Sequence, residues 1–416
     1  MGVFNEHWLK NDCRIKQSRN FTPPVIEYIS KTTKMIFLLI LTLIIGAQSL
    51  FSYHLFQLNN PITLVFGILQ LVVLLTSLFV MMRNFRRKQT TNYRRAFYAF
   101  GLVVATGIPT VAYFPFGLSF SAIGIPLIQW ICWAVAGMLF LAIVAGIIWG
   151  RWNWKTHEID LDFQHLPADL NGLRIIQISD IHIGSFFNQY HKVQKAIDLI
   201  NSLKADYVLF TGDLVNNIAS EMHGWEPLFL QIQAKMGKYS ILGNHDYGDY
   251  VPWDDKEDKK SNLAALIEMH RAIGFTPLLN EHIQLSSMDE GAFLIGIENW
   301  GKKPFRQSGD LEKASGAIST DAFTILMSHD PSHFDEQVVG SGIDLTLSGH
   351  THGMQFGIER FGIKFSPVQF YYKKWAGLYQ TGKQFLYVNR GFGYLGFPGR
   401  VGIYPEITLI RLNKTL

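Results

Sequence analysis

The hydrophobic positions of this chain fall into two unlike regimes. Up to about residue 150 they run in long blocks, and from about residue 155 they form short strands and periodic helices between polar turns. Four blocks, Met35–Phe56, Ile62–Met82, Ala96–Phe116 and about Ile125–Trp149, each reach the roughly 20 residues that cross a bilayer. A helix in a soluble core would keep a polar face, and these blocks have none. The pattern predicts a tail over residues 1–34, four transmembrane helices over 35–150 and a globular domain over 151–416. The first block begins too late for a cleavable signal peptide, and three more follow it.

In the second half, residues 158–166 read as a first strand. Leu173–Ser179 reads as a nearly all-apolar strand, as expected for a sheet covered on both faces. Tyr190, Val193, Ile197, Ile200 and Leu203 recur at helical spacing over about 188–203. Strands are predicted at Asp206–Thr211 and Tyr239–Leu242, about one βαβ unit of roughly 30 residues apart. Ser261–Gly274 reads as a helix with Ser261 as its N-cap. Five further strands are predicted at Phe293–Glu298, Phe323–Ser328, Asp344–Ser348, Gln384–Asn389 and Glu406–Leu412. The segment Tyr247–Lys260 is polar and irregular, either a surface loop or a lid.

Charge sharpens the division. Residues 96–150 hold no Asp, Glu, Lys or Arg. Basic residues gather in the tail (Lys10, Arg14, Lys16, Arg19, Lys31, Lys34), between spans two and three (Arg83, Arg86, Arg87, Lys88, Arg94, Arg95) and after span four (Arg151, Lys155). The other two loops carry none, and this alternation predicts both termini and the globular domain on the cytoplasmic side of a cell membrane. The loop Arg83–Arg95 is a topology signal or an attractor for anionic headgroups. His54 is the one ionisable side chain inside the spans, which favours an anchor or lipid-access surface over a transporter. The net charge of +4, concentrated beside the apolar blocks, gives no reason to expect a nucleic-acid partner. Cys13 and Cys132 lie in the tail and a span, so neither a disulfide framework nor a thiolate ligand is expected in the globular half.

The chemistry sits in five short motifs: Asp180-Ile181-His182, Gly212-Asp213, Gly243-Asn244-His245-Asp246, His329 and Gly349-His350-Thr351-His352. Each follows a predicted strand, which is where open α/β sheets place ligands. Carboxylate, amide and imidazole without thiolate suit manganese, iron or zinc better than magnesium or calcium. Two divalent ions side by side need a shared anion, and Asp213 is the natural bridge. Asp180 with His182, and His350 with His352, are two apart and so can share a face on leaving their strands. Gly212, Gly243, Gly349 and Gly353 allow sharp turns at strand ends. Other histidines, including His191, His223 and His270, match no ligand spacing and read as surface or core.

Together these motifs resemble the signature of the calcineurin-like metallophosphoesterases. The flanks GLRIIQISDIHIG, LSGHTHGMQFG and YVNRGFGYLGFPGRVGIYPEITLI are similar to the membrane-associated bacterial branch of YkuE/YaeI type. The resemblance runs from about residue 172 to the C-terminus. It implies an α/β four-layer sandwich of two mixed β-sheets flanked by helices. It places Asp180, His182 and His352 on a first metal, Asn244, His329 and His350 on a second, and Asp213 between them. It makes His245 a general acid or phosphate contact oriented by Asp246, and implies hydrolysis of a phosphate ester by a metal-activated hydroxide. Met354 departs from relatives that carry a second glycine there.

Three substrate readings stay open. One is a lipid-linked phosphoester or pyrophosphate, such as the UDP-2,3-diacylglucosamine cleaved by some relatives. One is a soluble nucleotide. The third is a non-catalytic membrane scaffold. Phe365, Phe370, Tyr371, Tyr372, Trp375, Phe392, Tyr394, Leu395 and Phe397 are either an apolar rim or sheet core, and Arg390 and Arg400 are candidate phosphate contacts.

Overall fold

The computed structural model describes residues 31–57, 61–86, 93–123, 126–286, 291–316 and 318–415. The tail residues Lys10, Cys13, Arg14, Lys16 and Arg19, and Arg87 and Lys88 of the basic loop, lie outside them. Among the described residues four helices come first: α1 (Lys31–Gln57), α2 (Pro61–Arg86), α3 (Arg94–Ile123) and α4 (Pro126–Ile148). Among the described residues three windows are long and apolar enough to cross a membrane: Pro61–Asn84, Arg94–Tyr113 and Leu127–Trp152. They fall in α2, α3 and α4, and the first span expected from sequence, Met35–Phe56, lies in α1.

The helices differ in what they touch. Leu69, Val72 and Phe79 of α2, and Leu127, Trp130 and Leu141 of α4, are exposed, as acyl chains would cover them. α3 is packed instead, with Val103, Val104 and Ala105 buried. Gln48 of α1 donates to the Val103 carbonyl at 3.1 Å and to the Thr106 hydroxyl at 2.7 Å. Such bonds matter in lipid, where an unpartnered amide has no water to turn to.

The globular half is built on two six-stranded sheets. The first contains β1 (Lys155–Phe163), β2 (Leu173–Ile178), β3 (Tyr207–Phe210), β4 (Gly237–Ser240), β5 (Thr276–Pro277) and β14 (Glu406–Lys414), in the order β1-β14-β2-β3-β4-β5. β2 to β5 are parallel, and β14 runs antiparallel to β2. The second contains β6 (Glu281–Ser286), β7 (Ala292–Gly296), β8 (Phe323–Met327), β9 (Leu345–Ser348), β12 (Gly377–Thr381) and β13 (Gln384–Val388), in the order β12-β13-β9-β8-β7-β6. Its four central strands are parallel and its edges antiparallel. A separate hairpin joins β10 (Ile358–Arg360) to β11 (Ile363–Phe365).

Alternation along the strands builds the layers. Ile175, Leu209, Ile241, Leu294, Ile325, Leu345 and Leu347 meet in one core between the sheets. Their neighbours Ile176, Val208 and Phe210 face the other way, onto α5 (Tyr190–Ser202) and α6 (Lys256–Ala272). Ile295, Leu326 and Val388 cover the far face of the second sheet with Ala314 and Phe334. Helix, sheet, sheet and helical cover are the four layers expected.

Several boundaries move. β1 begins at Lys155, three residues before the predicted start at 158. α6 begins at Lys256, capped by Asp255, whose side chain accepts from the Glu257 amide at 3.0 Å, so Ser261 is interior. Its first turn is all polar, which hid it from a reading based on apolar spacing. The segment 247–260 is anchored, with the Trp253 indole donating to the Gly248 carbonyl at 2.6 Å and Val251 buried. The short strands β5, β6 and β12 and the hairpin carried no alternation long enough to predict them.

Candidate metal centre

Asp180 and His182 follow β2, Asp213 follows β3 and Asn244 follows β4, three adjacent strands of the first sheet. His329 follows β8, and His350 and His352 follow β9, adjacent strands of the second. The carboxyl ends of both sheets therefore deliver all seven donors to one rim. Strand alternation does not aim them, because the strands have already ended. Asp180, His182, Asp213, His350 and His352 have left-handed φ of 55°, 47°, 62°, 70° and 51°. Such backbone costs about 1–2 kcal/mol per residue and clusters at functional sites. The glycines also act differently than expected. Gly212 and Gly353 do turn through positive φ, whereas Gly243 is extended. A Cβ on Gly243 would lie 2.2 Å from Asp213 Oδ1, and one on Gly349 2.3 Å from Asp180 Oδ2, so both are needed for close approach.

The donors form two triads, Asp180–His182–His352 and Asp213–His329–His350, each with its ligand atoms within 4.8 Å of one another. Asn244 joins the second, its Oδ1 2.8 Å from His350 Nδ1. Asp213 Oδ2 stands between the triads, 3.4 Å from His182 Nε2 and 3.2 Å from His329 Nε2. Asp213 Oδ1 accepts the His245 amide at 2.8 Å.

The outer nitrogens say where the protons are. His182 Nδ1 donates to the Val215 carbonyl at 3.2 Å and His329 Nδ1 to the Thr211 carbonyl at 2.7 Å. Tyr372 donates to Asp330 Oδ2 at 3.2 Å, so its oxygen accepts from His350 Nε2 at 2.9 Å. These bonds turn lone pairs inward. His182 Nε2 then faces His352 Nε2 at 3.1 Å, and His350 Nδ1 faces the Asn244 oxygen. His329 Nε2 is buried without the alignment of a hydrogen bond. The lone pairs of His182 Nε2, His350 Nδ1 and the Asn244 oxygen, all turned into the rim, fit a cation. His352 is the exception: its Nδ1 meets the Arg400 guanidinium at 3.3 Å, which only donates, so that nitrogen accepts and a neutral ring carries its proton on Nε2, toward Asp180 Oδ1 at 3.3 Å.

Electrostatics point the same way. Burial alone would raise Asp180 and Asp213. Instead, His352 and His329 hold Asp180, and His329 and His245 hold Asp213, well below the usual carboxylate range. Burial opposes protonation of His329, yet Asp213 and Asp180 carry it up to about 10. The cluster demands positive charge at its centre. Burial lowers His182, His245 and His350, keeping those rings neutral and able to ligate or carry a proton.

The surroundings correct several roles read from sequence. Asp246 does not orient His245. Its carboxylate accepts the amides of Gly243, Asp213, Leu214 and, at 3.4 Å, Val215, so it shapes the loop that carries Asp213. The His245 ring is held by the Asn216 carbonyl, 2.7 Å from Nδ1, and stacks on Tyr250 at 4.3 Å. Tyr250 also accepts from the Asn244 amide at 2.6 Å, which turns the Asn244 oxygen inward. Tyr250 was missed as a site residue, since no spacing marks a residue that arrives through tertiary contact, and Tyr372, read as apolar rim or sheet core, meets the site through its hydroxyl on His350.

Arg390 and Arg400 are not available to a phosphate. Arg390 pairs with Glu406 at 2.6 Å and with Glu359, while Arg400 donates to the carbonyls of Gly391 and Gly393. Trp375, Phe392, Tyr394 and Phe397 are buried core rather than rim, whereas Phe365, Phe370 and Tyr371 are exposed. Met354 is exposed beside the centre.

Residues 173–354 match the calcineurin-like phosphoesterase family. The chain is 31% identical over 264 residues to the uncharacterized metallophosphoesterase YkuE of Bacillus subtilis, covering 63% of this chain and 86% of that protein. It is 29% identical over 294 residues to the transmembrane protein with metallophosphoesterase domain of Danio rerio, covering 67% of this chain and 62% of that one. The Bos taurus protein of the same name is 30% identical over 267 residues, covering 61% and 56% respectively. The chain thus spans under two thirds of the length of these two vertebrate proteins.

Proposed function

The chain belongs to the calcineurin-like phosphoesterases, and from that footing we propose that it is a membrane-anchored phosphoesterase working with two divalent ions. The observation that carries this reading is Asp213 Oδ2, set within 3.4 Å of His182 and 3.2 Å of His329, one carboxylate oxygen between the two sets of donors. Asp180, His182 and His352 would hold one ion and Asn244, His329 and His350 the other, with manganese, iron or zinc suited to these donors. Ions bound there would polarise the phosphoryl oxygens and acidify water.

The protein's own groups do the rest. The left-handed turns hold the donors at the rim before any substrate arrives. His245, neutral with its proton on Nδ1, presents Nε2 as a lone pair. It can take a proton from attacking water and pass it to the leaving oxygen. Tyr250 and the Asn216 carbonyl keep that ring from turning.

The basic residues at the domain ends of the spans support a cytoplasmic placement of this centre. A site anchored so close to the bilayer suits an amphipathic, lipid-linked phosphoester. The first test is turnover of a nitrophenyl phosphodiester by the purified full chain in Mn²⁺. Asp213→Ala is expected to abolish it, and undiminished turnover would refute the reading. Comparison of lipid extracts from wild-type and deletion cells tests the substrate class: accumulation of one phospholipid or nucleotide-lipid is expected, and an unchanged lipid profile points to soluble esters.

A further inference from the structure

The hairpin β10–β11 carries its polarity the wrong way round for a water-exposed ribbon. Its register pairs Ile358 with Phe365, Glu359 with Lys364 and Arg360 with Ile363. Alternation puts Glu359 and Lys364 on one face and the remaining four on the other. The charged face is turned to the body of the domain. Glu359 takes the Arg390 guanidinium, and Lys364 donates to the Ala376 carbonyl at 2.5 Å above the rings of Trp375 and Tyr379. The apolar face looks outward: Ile358, Ile363 and Phe365 are 53%, 56% and 40% exposed, and Phe361 at the turn is 93% exposed. A sheet with one wet face shows the opposite arrangement, and a contiguous outward apolar patch marks an interaction surface.

Continuity with the membrane helices says what covers it. Phe356, two residues before Ile358, packs on Phe397 with ring centroids 4.6 Å apart. Both belong to a cluster with Val104 and Ala105 of α3 and Ile143 of α4. Val104 lies eight residues beyond Ala96, where the uncharged run begins, or about 12 Å along the helix axis. The base of the hairpin is thus fixed at a height already inside the apolar part of the bundle. Arg360 stands over the Phe361 ring at 5.7 Å, an arrangement that suits anionic headgroups above an acyl boundary.

We propose that the β10–β11 hairpin is a second membrane contact, lying in the headgroup layer of the bilayer that α2 to α4 span, with Phe361 and Ile363 reaching its acyl boundary. It holds the catalytic domain at a fixed tilt. Met354, 55% exposed between His352 and Phe356, continues the apolar ledge to the metal centre. The hairpin's lipid contact rests on the helices spanning the membrane and not on catalysis.

The test places an environment-sensitive fluorophore on one introduced cysteine in the full chain, with Cys13→Ser and Cys132→Ala. Phe361→Cys is compared with Leu141→Cys on the lipid face of α4 and Val339→Cys, at the end of the second sheet remote from the metal centre. The protein is reconstituted in phosphatidylglycerol–phosphatidylcholine vesicles and quenched by doxyl lipids or by aqueous iodide. At 361, quenching by doxyl lipid several-fold above that at 339, with shielding from iodide, is expected. Iodide access equal to that at 339 overturns the proposal. So does a blue-shifted label that doxyl lipid leaves unquenched, which would mean a second copy of the chain covers the hairpin. An unquenched label at 141 would instead overturn the spanning helices.

Discussion

The metal rim and the membrane junction are both buried, yet they are held together by opposite means. At the rim, side chains do the binding and the backbone is bent to serve them, with five donors in left-handed conformations. At the junction the backbone itself is the partner. The Arg400 amide donates to the Gly146 carbonyl at 3.1 Å, and Arg151 donates to the Pro398 carbonyl at 3.0 Å. A Cβ on Gly146 would come 2.7 Å from the Arg400 carbonyl oxygen. Arg400 belongs to both regions, since its side chain reaches His352. The difference teaches that chemistry and attachment are separable: changes at the rim should remove activity, and changes at the junction should remove stability.

The largest expected effect breaks the rim. Asp213→Ala should lower phosphodiester turnover by at least about 10³-fold and release bound metal. A smaller effect lies one layer out. Tyr372→Phe removes the hydroxyl that places the proton of His350. It should cost about 10- to 100-fold in metal affinity or activity, read by Mn²⁺ titration of turnover.

Gly146→Leu tests the other side of the comparison. Overpacking against Arg400 and Val401 should cost about 1–3 kcal/mol, seen as earlier unfolding in detergent, while metal content is retained. Loss of metal without loss of stability would show that the two regions are not separable.

The last effect concerns neither region and serves as a baseline. His270 is buried against Phe210, and burial lowers it to about 3. The unfolded chain takes up that proton near pH 6.5, whereas the folded one does not. The neutral ring therefore contributes stability that is fully present above about pH 6.5 and is lost as pH falls toward 3, by about 1.4 kcal/mol per pH unit. His333, lowered to about 4 by burial, adds to the same slope. His270→Phe should flatten the fall of unfolding temperature below pH 6.5, and an unchanged slope would contradict the assignment.

Much of the rim was legible in the sequence because most donors follow closely on a short apolar strand. Asp213 after Tyr207–Phe210 and His329 after Phe323–Met327 need only local rules to reach the carboxyl edge. What was not legible depends on distant approach or on backbone that no residue type announces. Asp246 sits next to His245 in sequence yet serves the Asp213 loop, because its side chain turns under the strand ends. Tyr372 reaches His350 only because the chain returns after the hairpin. α6 hid its first turn among charges, and the hairpin itself, with apolar residues outward, obeys a rule meant for lipid rather than water.

Metal stoichiometry tests the two-ion centre most directly. Elemental analysis of the purified full chain after Mn²⁺ reconstitution should find about two ions per chain, falling to one or none in Asp213→Ala. No bound transition metal in the wild-type protein, or two ions retained when Asp213 is gone, would contradict it.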